Sequence, residues 1–296
     1  MTSMNMETMH IVIDLAKCVG CYNCLLACKD EHVGNSWGSY TQEQQKHDQE
    51  WIRHEKIERG RAPFTELCFV TKLCQHCKNA PCEKAAPDAV IRRPDGAVLL
   101  DVDKAKGNKA LVGACPYGSI TWNDELQTAQ KCTLCAHLLD DGWAEPRCVQ
   151  ACPLRALSVV RCGDDEFETL VKEQQLEPLT DGSNAPRVLY RNLYRRDTCF
   201  IAGALAYRGI GEGGQGGEGG QDCPEKAATE ASVRLVKDEC TIAEMQADFL
   251  GEFKIDCLPK NSGVYELICT LDGYEPIKRD IIIGESSPCL EVMIFD

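Results

Sequence analysis

Nowhere in the 296 residues does an apolar stretch approach the ~20 positions of a membrane-crossing helix. Positive charge is also scarce. Lys and Arg number 32 against 46 Asp and Glu, for a net charge of −14. Phosphate backbones need a basic surface, so nucleic acid is not expected as a partner. The opening "MTSMNMETMHIVIDLAK" has no basic lead, no long apolar core and no twin arginine. It therefore carries no recognisable export signal, and a cytoplasmic location is expected unless a signal-bearing partner exports the folded chain. The glycine-rich stretch "RGIGEGGQGGEGGQD" at 208–222 lacks the Lys-Ser/Thr of a P-loop and reads as a flexible insertion. No dinucleotide fingerprint and no Ser–His–Asp grouping stands out, so no catalytic residue is assigned.

Cysteine is abundant instead, at 20 residues. A disulfide scaffold of that density would be a small secreted chain, so metal binding in a reducing compartment fits better. Most of the cysteines fall in four runs. "CVGCYNCLLACKD" supplies Cys18, Cys21, Cys24 and Cys28 in the C-x2-C-x2-C-x3-C spacing of a [4Fe–4S] ferredoxin. "CQHCKNAPCEKAAP" supplies Cys74, Cys77 and Cys82, but Ala86 stands where the fourth cysteine belongs, before Pro87. "KGNKALVGACP" keeps only its last cysteine, Cys115, while Ala105, Asn108 and Leu111 occupy the other three places. "CTLCAHLLDDGWAEPRCVQACP" supplies Cys132, Cys135, Cys148 and Cys152.

In such runs the last cysteine serves the cluster of the partner run. Pairing the outer runs gives one set of Cys18, Cys21, Cys24 and Cys152, and a second of Cys132, Cys135, Cys148 and Cys28. Pairing the inner runs gives a third set, Cys74, Cys77, Cys82 and Cys115. The fourth would need positions 86, 105, 108 and 111, and all four lack a thiol. One site has thus been lost whole. Three [4Fe–4S] clusters are expected, with none of the twelve thiols facing solvent. The alternative is a zinc-binding structural or interaction protein, for which the third cysteine of a run is superfluous around a tetrahedral ion.

The phrases "CQHCKNAPC", "CPYG" and "KCTLC" resemble the iron–sulfur subunits of molybdopterin oxidoreductases of the dimethyl sulfoxide reductase type. "DEHVGNSWGSYT", "WIRHEKIERGR", "AQKCTLCAHLLDDGWAEPRC" and "RVLYRNLY" are similar to the small-subunit family of pyrogallol–phloroglucinol transhydroxylases, with the electron-transfer subunits of catechol dehydroxylases nearby. The resemblance implies an electron-transfer subunit in a heterodimer or higher assembly. Its large partner would hold the molybdopterin cofactor and act on polyhydroxylated aromatics. Transhydroxylation needs no net electrons, whereas reductive dehydroxylation does. The missing site favours the former, with an electron-input subunit of a catechol dehydroxylase as the alternative.

His32, His76 and His137 lie beside cluster cysteines and are candidates for hydrogen bonds that tune a cluster. His47 and His54 read as surface residues. A short helix is expected near "QEWIRHEKIE", and another in "DDEFETLVKEQQLEPL", where Phe167, Leu170 and Val171 recur at helical spacing. From about residue 198 the pattern has period two: Phe253, Ile255 and Cys257; Tyr265, Leu267 and Cys269; Leu290, Val292 and Ile294. Cys257 and Cys269 are therefore expected inside, and Asp272-Gly273 at a hairpin turn. The expected fold is α+β, with two nested ferredoxin-like modules followed by an all-β immunoglobulin-like sandwich or small barrel. Residues 1–67 with 125–160 would form the outer module, 68–124 the inner one, 161–197 an arm, and 198–296 the β domain.

Overall fold

The computed structural model describes residues 7–208 and 225–296. Nearly all of the glycine-rich insertion lies outside the described residues. The fold is α+β and divides into two compact units. One holds the residues up to Ile57 with Cys68–Leu193, and the other Glu58–Leu67 with Tyr194–Asp296. The segment 58–67 thus goes with the C-terminal unit, although chain order alone groups it with the outer module. Among the described residues no helix is long and apolar enough to cross a membrane.

The first unit is built on β1 (Thr8–Asp14), α1 (Asn23–His32), β2 (Arg53–Arg59) and β3 (Glu66–Lys72). Then come α2 (Pro81–Ala85), β4 (Val90–Arg92), β5 (Val98–Leu100), α3 (Ala110–Gly113), β6 (Ile120–Asn123) and β7 (Thr128–Lys131). The last elements are α4 (Ala136–Asp140), α5 (Arg147–Gln150), β8 (Leu157–Cys162), α6 (Asp164–Glu173) and β9 (Val188–Arg191). β1 is buried from Met9 to Asp14 and is the middle strand of a sheet, antiparallel to β8 and parallel to β9. A strand covered on both faces must be apolar at both parities, and "MHIVI" is. The pairs β2–β3, β4–β5 and β6–β7 are two-stranded. In α6, Phe167 is buried as its spacing requires.

The segment "QEWIRHEKIE" is not helical. From Arg53 it forms β2, paired with "ELCFVTK" of β3. Its partner is rich in β-preferring residues. The neighbour in the sheet decides the conformation.

The second unit adds α7 (Tyr194–Asp197), β10 (Thr198–Arg208), β11 (Glu225–Ala227), β12 (Ser232–Lys237) and β13 (Cys240–Gln246). It closes with β14 (Glu252–Pro259), β15 (Gly263–Thr270), β16 (Ile277–Ile283) and β17 (Met293–Phe295). One sheet runs β11-β10-β14 with β17 parallel to β10, and the other runs β13-β12-β15-β16. Ile201, Leu205, Phe253 and Phe295 of the first share one apolar core with Val233, Leu235, Leu267 and Ile283 of the second. Gly251, at φ +75°, turns the chain into β14 where an added Cβ would stand 2.3 Å from the Leu205 carbonyl oxygen.

Two expectations change here. Cys257 is exposed with φ +64°, whereas Cys269 is fully buried. A register shift explains it. Ile255 pairs with Ile201 but Leu258 pairs with Cys199, so one extra residue bulges from β14 and reverses the parity after Ile255. In the last strand Met293 and Phe295 are buried while Val292 is exposed, the phase opposite to the expected one. Both parities of "LEVMIF" are apolar, and the pairing of Leu205 with Met293 decides. Asp272-Gly273 does lie between β15 and β16, with Gly273 at φ +84°.

The bulge predicts unequal serine substitutions. Cys257→Ser should change stability by no more than ~0.5 kcal/mol. Cys269→Ser, which leaves a hydroxyl in an apolar core, should cost ~1–3 kcal/mol. Urea midpoints of the two variants would check this, and equal costs would mean that the parity is wrong.

Candidate cluster-binding sites

The first set of cysteines gathers where β1 ends. The loop after Leu15 carries Cys18 and Cys21, α1 carries Cys24, and Cys152 comes in behind α5. All four line one cavity, ≈ 310 Å³ free of protein atoms, together with Tyr22, His54 and Leu157. Gly20 lets the loop close, since at φ +67° its missing Cβ would lie 2.5 Å from the Phe69 ring. Cys21 departs from expectation. It lines the cavity but is exposed, on a loop whose Val19 and Tyr22 are also exposed.

The second set is drawn together by the packing of α1 on α5, which present Cys28 and Cys148. Leu134 and Cys135, at φ +58° and +50°, form the tight turn that brings in Cys132 and Cys135. Burial pushes the Cys28 thiol well above its ordinary range, and Cys132 and Cys135 push it further. Cys148 is raised by burial and then by Cys135, Cys132 and Cys28. The four thiols thus feel one another in a space away from water.

The third set lines a cavity of ≈ 340 Å³ with His76, Pro81, Tyr117 and Lys131. Cys74, Cys77, Cys82 and Cys115 all face it. Burial raises Cys77 to about 12, with Cys74 and Cys115 adding to the effect. Burial alone would also raise Cys74, but the His76 ring and the Lys131 ammonium outweigh it and hold that thiol down to about 5.

Cys115 and Cys152 occupy matching positions. Each precedes a proline, and each sulfur accepts a backbone N–H from four residues on: Ser119 at 3.4 Å and Ala156 at 3.2 Å. The Leu134 N–H donates to the Cys132 sulfur at 3.3 Å. At the positions of the missing set, Ala86, Ala105 and Leu111 are packed into one apolar core with Ala89, Leu100 and Ile120.

Among the described residues, no three His, Cys, Asp or Glu draw together tightly enough to hold a single metal ion. The cysteines of the first and third sets instead each line one cavity. An iron–sulfur cube suits such a set, because its thiolate ligands sit at separate corners and its iron supplies the positive charge that ionised, desolvated sulfurs need. Backbone N–H donors on the sulfurs fit the same group.

The histidines are distributed unexpectedly. His54 is no surface residue: its Nε2 lies 3.4 Å from the Cys24 sulfur and its ring against Tyr22. It comes from β2, 30 residues beyond Cys24, so spacing could not find it. His76 accepts the Val98 N–H at Nδ1, 3.1 Å away. His137 is stacked on Trp37 and meets Glu31 at 3.0 Å through Nε2, and His32 is buried beside Trp51. Lys131 joins the third set without any cysteine-spacing rule to announce it, although a lysine directly before a cluster cysteine is a visible signal.

Comparison with known proteins agrees with this geometry. Residues 65–162 match the 4Fe-4S dicluster domain family. The chain is 38% identical to the pyrogallol hydroxytransferase small subunit of Pelobacter acidigallici, covering 95% of this chain and 97% of that one. It is 30% identical to the arsenate respiratory reductase iron-sulfur subunit of Shewanella sp., over 61% of this chain and 94% of that one. It is also 30% identical to the thiosulfate reductase electron transfer subunit of Salmonella typhi, over 60% and 88%. With cluster-type cysteine sets in place and a match that runs nearly end to end, the chain belongs to the family of iron–sulfur small subunits that includes the pyrogallol hydroxytransferase small subunit.

Proposed function

We propose that this chain is the electron-transfer subunit of a molybdopterin-dependent enzyme of the pyrogallol transhydroxylase type, carrying three [4Fe–4S] clusters and no catalytic site of its own. The observation that carries the reading is the convergence of Cys152 on the cavity of Cys18, Cys21 and Cys24, and of Cys115 on that of Cys74, Cys77 and Cys82. Cys132, Cys135, Cys148 and Cys28 would hold the remaining cluster. The partner would be a large catalytic subunit holding the molybdopterin, and the substrates polyhydroxylated aromatics. The near-full-length likeness to a pyrogallol hydroxytransferase small subunit supports both.

Each cluster, when bound, takes up and passes on one electron. The chain's own residues hold the thiolates, exclude water and place the sets close to one another. Cys24 and Cys28 lie four residues apart on α1, about 6 Å along its axis at ~1.5 Å per residue. One belongs to the first set and the other to the second. Cys148 lies on α5 and Cys152 just beyond its end, so a second short segment also joins the same two sets.

The C-terminal unit is read as an immunoglobulin-like sandwich, supported by two four-stranded sheets that share one core. A cytoplasmic location is proposed from the free thiols of Cys162, Cys199 and Cys269 outside the cluster sets.

Two measurements test the reading. The purified chain should hold about twelve iron atoms with the broad visible absorption of cubanes, and Cys115→Ser should lose about four of them while the other clusters keep their spectra. Full iron retention in that variant would remove Cys115 from the ligands, and an iron-free zinc protein would end the proposal. The complex should then convert its aromatic substrate only when a hydroxylated co-substrate is present. Dehydroxylation driven by a reduced dye alone would identify a catechol dehydroxylase instead.

A further inference from the structure

Lys131 ends β7, a strand buried along its whole length, and is itself 3% exposed. Among the described residues it forms no ion pair with a carboxylate. Its Nζ donates to the Cys74 sulfur at 3.3 Å, to the Val98 carbonyl, and to the Cys132 carbonyl at 3.3 Å. An ammonium has three N–H bonds, and three acceptors receive them here. With Cys74 as a cluster thiolate, a neutral amine would turn its lone pair on one of these acceptors, so the geometry then holds the cation. A buried charge without a counter-ion is costly, and something anionic must offset it. One acceptor is the sulfur of Cys74, from the third set, and another is the backbone carbonyl of Cys132, from the second.

We propose that Lys131 is a cation shared by the clusters of the second and third sets, and that it raises the reduction potentials of both. This rests on the cluster reading given above. Such a cluster, four thiolates on a core of lower positive charge, is an anion in both oxidation states. Reduction adds negative charge, and a fixed cation in a desolvated site favours the more negative form. The N–H bond to the Cys74 sulfur acts in the same direction. The first set lies outside this arrangement: Lys131 is not among the residues that line its cavity.

Potentials of the three clusters in the iron-loaded full chain can be read by electron paramagnetic resonance during a redox titration, after the wild-type iron content has been measured. Lys131→Gln keeps polar contacts without charge, and Lys131→Met removes both. In each, two of the three potentials should fall while the third stays in place, and Lys131→Arg should stay near wild type. If the loaded Gln and Met variants titrate as wild type does, the proposal is overturned although the clusters stand. If the wild-type chain holds no clusters, the functional reading itself has failed. If both uncharged variants lose iron, wild-type chain labelled with ζ-15N-lysine decides. A 15N coupling on a reduced cluster that disappears in Lys131→Arg supports the shared cation, and its absence overturns it.

Discussion

Thiols grouped in fours, most of them buried, cannot all ionise on their own. Desolvation and mutual repulsion push Cys24 and Cys77 to about 12, and Cys28 and Cys148 well above the ordinary range. Only a cation between the sulfurs reverses that balance. Much else in the first unit follows from this constraint. Its helices α2 to α5 have four or five residues each, too short to be stable by themselves. Three of its sheets are mere pairs of strands. A single apolar core cluster in this unit contains Cys24, Cys28, Cys74, Cys132, Cys148 and Cys152 among its members. Sulfur occupies the places that aliphatic side chains take in an ordinary domain.

The second unit obeys the usual rule. Two sheets bury alternating apolar residues, and the only irregularities are those that sheets commonly show. The site lost from the first unit shows what replaces a cluster. Ala86, Ala105 and Leu111 join an apolar core there with Ala89, Leu100 and Ile120. Had thiols been left behind without iron, several buried polar groups would have gone unsatisfied. Loss of all four ligands together is therefore the outcome with least cost.

Cysteine spacing made the three sets legible, because cross-ligation is a rule about sequence position. Residues that reach a cluster from elsewhere were not legible. His54 approaches Cys24 from a strand that sequence alone reads as a helix, and the strand pairing that brings it there depends on β3. Cys257 looked buried because period two assumes an unbroken ladder, and one bulged residue reverses it. In the last strand the pattern was uninformative, because apolar residues stand at both parities. Cys21 is exposed for a different reason. A ligand at the edge of a cavity can touch solvent and still face the shared space, and spacing says nothing of that.

The missing site also changes how the proposed clusters are connected. In the outer pair, α1 carries Cys24 and Cys28 one turn apart, one for each set, and Cys148 of α5 is followed just past the helix by Cys152. The inner pair has the same plan, but its links lead nowhere: the partner of Cys82 is Ala86, and the partner of Cys115 is Leu111. The third set must then reach the second by another route. Near both sets stands Val98, whose N–H holds His76 and whose carbonyl holds Lys131. Lys131 in turn touches Cys74 and lies next in sequence to Cys132. A single residue's backbone thus pins both polar side chains between the two sets. Helical covalent links tolerate changes in side-chain charge, but this junction is made of hydrogen bonds and one buried cation. Electron transfer across it is accordingly the step most sensitive to the protein's own electrostatics.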